Sequence, residues 1–142
     1  MAIAALVAWL CTAGAGLFML LRWMSRGGHR KGAASHFPAI RVFSHFGLAA
    51  AGLVLWIIYL VTDSSILAWI AFFDLVLVAL LGGLLVRQWI KDGRAAMAGS
   101  GSAPTVDLAE QHIPRVPVIV HGIFAVSTVT LVLLAAIGVG ES

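Results

Sequence analysis

Four long apolar stretches, separated by polar segments, organise the chain. They cover roughly residues 2–24, 38–62, 65–90 and 116–138, and each meets the ~20 residues a helix needs to cross a hydrocarbon core. Polar groups within them, away from their ends, are few: Thr12, Ser44, His45, Asp74, His121 and the group Ser127, Thr128, Thr130. The turn Thr62-Asp63-Ser64-Ser65 is tight, which predicts antiparallel packing of the second and third helices. The link after the third helix, about residues 94–111, contains the small, flexible run from Ala95 to Pro104, and residues 106–111 can form one interfacial turn before Pro114. The predicted fold is all-α, an integral membrane four-helix bundle forming one transmembrane domain.

Composition and charge sharpen this. A chain that is 61% hydrophobic and 11% charged, with mean hydropathy +1.04, is not a soluble domain. The first stretch lacks a basic start and is too long for a cleavable signal peptide. Cys11 is the single cysteine, so no intrachain disulfide or cysteine-held metal cluster is expected. Every Lys and Arg flanks one of two links: Arg22, Arg26, Arg30, Lys31 and Arg41 the first, Arg87, Lys91, Arg94 and Arg115 the second. The positive-inside rule then puts both links in the cytoplasm and both termini outside. The net charge of +3 reports this topology and a basic face for lipid headgroups, with no nucleic-acid module. The wealth of Ala, Val and Gly suggests a GC-rich bacterial genome and hence a bacterial plasma membrane.

The chain also reads as two tandem helical hairpins. The first helix closes with Trp23 and Gly27, the third with Trp89 and Gly93, each Trp an expected interfacial anchor and each Gly an expected stop. His36-Phe37-Pro38 is followed by His45, and His112-Ile113-Pro114 is followed by His121 at the same interval. Parallel repeats of this kind are related by an axis along the membrane normal, which brings His45 and His121 to equal depth.

Ionisable groups inside a bilayer are costly and mark candidate sites. The small residues Ala49 and Gly52 follow His45 on its face, and Ala125 and Thr128 follow His121, leaving room for a flat group between helices two and four. Neutral imidazole is a good iron ligand, so two of them could hold one haem b axially, with Arg41 and Arg115 pairing its propionates. In architecture and histidine placement the chain resembles the small four-helix membrane cytochromes b. That resemblance implies electron transfer with a quinol pool or membrane partner. The chain departs from the class pattern of two spaced histidines per helix, so one haem is expected. The alternatives for the embedded pair are histidines that hydrogen-bond a carbonyl or hydroxyl of the next helix, or a metal, quinone or proton role. His36 and His112 are secondary ligand candidates and otherwise mark helix entry, and His29 is a solvated loop residue.

Asp74 lies about 12 Å below the outer face at 1.5 Å per residue, too far to meet the histidines directly. An Asp in a helix centre carries a penalty of ~2.5–3.5 kcal/mol, so a proton or quinol-site role is read for it beside a purely hydrogen-bonded one. Soluble-enzyme signatures such as phosphate loops, His-Glu-x-x-His and Gly-x-Ser-x-Gly are absent, and whether the chain is an enzyme stays open. Two functions remain: a membrane cytochrome, or a non-catalytic accessory or assembly subunit of a larger respiratory-type complex. A homo-oligomer or membership of such a complex is expected in either case.

Overall fold

In a computed structural model, which describes residues 1–98 and 107–139, each apolar stretch is a helix. α1 spans Ala2–Ser25, α2 Ala39–Thr62, α3 Ser65–Ala98 and α4 Arg115–Ala136; one 3-10 turn, Ala109–His112, precedes α4. All four α-helices are long and apolar enough to cross a membrane.

Local chemistry sets the helix ends. α1 stops where Gly27 turns to φ 77°. The Gly27 N–H then reaches the Met24 carbonyl at 2.9 Å and the Gly28 N–H the Trp23 carbonyl at 3.1 Å, the paired bonds of a glycine stop. Pro38 and Pro114 directly precede α2 and α4 at φ −62° and −63°, where a missing N–H leaves no helical bond unmade. α2 ends on Asp63 in the left-handed region at φ 53°. The third helix differs from expectation: it continues past Ile90 and through Gly93 to Ala98. Arg94-Ala95-Ala96-Met97-Ala98 are strong helix formers, and together they outweigh the ~1 kcal/mol that one interior glycine costs. Of the expected link, residues 99–106 lie outside the described residues.

The helices occupy the corners of the bundle in the order α1, α2, α3, α4, so α1 faces α3 and α2 faces α4 across the diagonals. α1 packs most extensively on α4, and α2 on α3, while the α1–α2 and α3–α4 contacts are lighter. The tight antiparallel α2–α3 pair is the one the short turn predicts. The α1–α4 pair is its counterpart, so each tight pair joins a helix from one repeat to a helix from the other. Equivalent positions of the repeats serve equivalent ends. Ala5 and Ala71 are both 0% exposed, and so are Trp56 and Val132.

Two apolar clusters cap the interior. Trp9, Trp56, Tyr59, Ala71, Leu75 and Val132 fill the end at the α2–α3 turn, with the Trp9 and Trp56 rings 6.4 Å apart. Trp23, Val42, Ala109 and Ile113 fill the end that bears the basic links. Trp23 was expected as an interfacial anchor, yet it is enclosed, its Nε1 donating to Ser35 Oγ at 3.0 Å. Gly28 lies directly against its indole, where a Cβ would overlap the ring. The outward faces carry exposed aliphatic and aromatic groups such as Ile3, Leu10, Phe73, Leu80, Ile123 and Val126. The interior thus mixes a few large aromatics with small residues such as Ala5, Ala68 and Ala71, while large aliphatic groups are left on the outward faces.

Candidate functional site: a paired-histidine layer

Between the two clusters the side chains of His45 and His121 reach from diagonal helices into the bundle centre. Their ring centroids are 6.2 Å apart and their planes are inclined by 62°. Each ring is anchored to a third helix. His45 Nδ1 lies 3.0 Å from the Val78 carbonyl of α3, and His121 Nδ1 lies 2.9 Å from the Thr12 carbonyl of α1. A carbonyl only accepts, so each neutral ring carries its proton on Nδ1 and keeps the Nε2 lone pair.

One helical turn after each carbonyl stands a glycine. A Cβ on Gly82 would sit 3.0 Å from His45 Cε1, and one on Gly16 would sit 3.1 Å from His121 Cε1. An anchoring carbonyl followed by a glycine that admits the ring edge thus occurs twice, at equivalent positions of the two repeats. Two imidazoles that both keep an Nε2 lone pair are donors of the kind a metal or haem iron can use.

Two of the small residues expected beside the rings, Gly52 and Thr128, are engaged elsewhere. Gly52 packs against Asp74 of α3 and Trp9 of α1, and its missing Cβ leaves the space that Asp74 Oδ2 occupies. Thr128 is buried and donates to the Phe124 carbonyl at 2.7 Å. Its Oγ1 also lies 3.3 Å from that of Thr12, which donates to the Ala8 carbonyl at 2.8 Å. Gly52 and Thr128 therefore form the next layer toward the turn end. Ala49 and Ala125 are half-buried, one turn after the histidines. The close approach to the rings is made by Gly16 and Gly82 of the other two helices.

Asp74 Oδ2 is buried without a hydrogen-bond partner among the described residues. Gly52, against which it packs, is two turns from His45, about 10 Å along the helix at 1.5 Å per residue. Arg41 is half-buried one turn before His45, on the basic side, and Arg115 is exposed at the first position of α4.

His36 and His112 lie at the basic end, apart from this layer. His112 Nδ1 lies 3.3 Å from the Leu108 carbonyl, and its Nε2 is 3.5 Å from Asp107 Oδ1. His36 Nδ1 is 2.8 Å from Asp92 Oδ1, while its backbone N–H donates to Glu110 Oε1 at 2.6 Å. Asp92 and Glu110 were missed in sequence because acids in polar links are ordinarily solvated. Here they are 5% and 0% exposed. No protein-family model, curated protein or solved structure matches the chain.

Proposed function

We propose that the chain is an integral membrane protein that holds one haem b between His45 and His121 and passes electrons between a quinol pool or membrane partner and an acceptor. The observation that supports this is the doubled anchoring of Nδ1 to a helix carbonyl, the arrangement that metal-ligating histidines adopt. A haem so held supplies a one-electron carrier whose potential follows its axial ligands and its burial. The Val78 and Thr12 carbonyls fix the tautomer, orient the rings and make Nε2 a stronger donor. Gly82 and Gly16 let the rings lie close to α3 and α1, and an apolar cluster flanks the layer on either side. Arg41 and Arg115 lie toward the basic end, where they would pair with propionates as charge-assisted donors. Asp74, on the turn side, would handle the proton of a quinol. The confinement of every Lys and Arg to the two links supports an orientation with the links cytoplasmic and both termini outside.

The same two hydrogen bonds favour a second reading. They tie α2 to α3 and α4 to α1 without any cofactor, as structural histidines in an accessory subunit of a larger membrane complex would. A reduced-minus-oxidised spectrum separates the two. Protein purified in detergent from haem-replete cells should show a sharp Soret and alpha band that disappears in the double variant His45→Ala, His121→Ala. A colourless native protein refutes the cytochrome and leaves the accessory subunit.

A further inference from the structure

The polar cluster at the basic end is more than a set of link contacts. Three segments converge there: the α1–α2 link with Ser35 and His36, the end of α3 with Gln88 and Asp92, and the 3-10 turn with Glu110. Glu110 is fully enclosed and accepts from Ser35 Oγ at 2.7 Å and from the His36 N–H at 2.6 Å. Asp92 is also enclosed, and its Oδ1 faces His36 Nδ1 at 2.8 Å and Gln88 Nε2 at 2.9 Å. Its Oδ2 is buried and has no hydrogen-bond partner among the described residues. One ligand-capable atom each from His36, Asp92 and Glu110 lies within 4.8 Å of the others.

Electrostatics makes this incomplete as it stands. Two carboxylates enclosed this close together repel, and burial denies them the water that would screen the repulsion. Among the described residues no Lys or Arg lies within ion-pair distance of either, and His36 is the single candidate countercharge. The neutral donors Ser35, Gln88 and the His36 amide satisfy individual lone pairs but add no net positive charge.

We propose that His36, Asp92 and Glu110 bind a divalent transition-metal cation. A cation of charge +2 neutralises both carboxylates and gives Asp92 Oδ2 the partner it lacks. One imidazole and two carboxylates make a mixed nitrogen–oxygen set suited to Zn²⁺, Mn²⁺ or Fe²⁺. Mg²⁺ instead prefers oxygen ligands and retains its waters. Because each ligand comes from a different segment, the cation clamps the two basic links to the end of α3. The site is independent of the paired-histidine layer and of any haem there.

The test uses the full chain in detergent, stripped with a chelator and then titrated calorimetrically with ZnCl₂, MnCl₂ and MgCl₂. One equivalent of Zn²⁺ or Mn²⁺ should bind per chain in preference to Mg²⁺ and raise the thermal midpoint. Asp92→Asn and Glu110→Gln should each weaken that binding by at least about tenfold, since each removes a direct ligand and costs no less than the loss of an outer-shell partner. Asp107→Asn, at an exposed acid of the same segment, and the double variant His45→Ala, His121→Ala should bind as the native chain does. A native chain that takes up neither Zn²⁺ nor Mn²⁺ overturns the proposal, and it does so whether or not the variants fold. Uptake that survives undiminished in Asp92→Asn overturns it equally, because the metal then sits elsewhere.

Discussion

Gly82 and Gly83 are neighbours on α3, yet adding one methyl group to each should have opposite effects. At Gly83 nothing lies within 4 Å of the new Cβ among the described residues, so Gly83→Ala gains helix propensity alone, at most ~1 kcal/mol. At Gly82 the Cβ would stand 3.0 Å from His45 Cε1, where carbon atoms prefer about 3.5–4.0 Å. The ring must yield by roughly half an ångström, yet its Nδ1 is tied to the Val78 carbonyl at 3.0 Å, and lengthening that bond to ~3.5 Å takes it out of hydrogen-bonding range. Losing an interhelical bond in a membrane costs on average ~0.6 and at most ~1.7 kcal/mol. Overpacking adds about 1–3 kcal/mol. Set against the gain in propensity, Gly82→Ala should be destabilised by about 1–4 kcal/mol, leaving a gap of roughly 2–5 kcal/mol between the adjacent variants. Reversible unfolding in mixed micelles measures that gap. The other repeat supplies an independent copy, because Gly16 meets His121 at 3.1 Å while nothing lies within 4 Å at Gly14. If Gly82→Ala and Gly16→Ala prove as stable as Gly83→Ala and Gly14→Ala, the glycine-cradled histidines are refuted.

Other perturbations probe the remaining layers. Gly28→Ala places a Cβ inside the Trp23 indole, so it should cost more than the ~1 kcal/mol typical of a point change and shift tryptophan fluorescence. An unchanged melting profile would contradict the enclosed position of Trp23. Glu110→Ala leaves Ser35 and the His36 amide without their acceptor, and the segment between α1 and α2 should become protease-sensitive while the helices stay intact by circular dichroism. Trp56→Ala removes a fully enclosed side chain from the cluster at the turn end. In an apolar solvent the transfer contribution falls away and the cavity contribution remains, so roughly 2–3 kcal/mol should be lost in the same unfolding assay. A loss no greater than that of a lipid-facing change such as Phe73→Ala would show that this cluster is not a core.

The number of helices, the direction of the charge bias and the repeat itself are local properties, and they were legible in the sequence. A run of apolar residues is long enough to cross a membrane whatever packs against it, and Pro38, Pro114 and Gly27 act on their own backbone. Gly93 shows the limit even of local reasoning, because its stop signal loses to the helix formers that follow it. The repeated His-x-Pro phrase singled out His45 and His121, since two equal spacings predict equal depth. What anchors those rings depended on which helices become neighbours. Val78 and Thr12 act through backbone carbonyls, which carry no side-chain signature, and Gly82 and Gly16 act by lacking an atom. The pairing of α1 with α4 and α2 with α3, rather than within each hairpin, assigned them that work and sent Gly52 to Asp74. The enclosure of Asp92 and Glu110 is likewise a tertiary outcome. A carboxylate in a polar link is solvated by default, and only three converging segments remove its water.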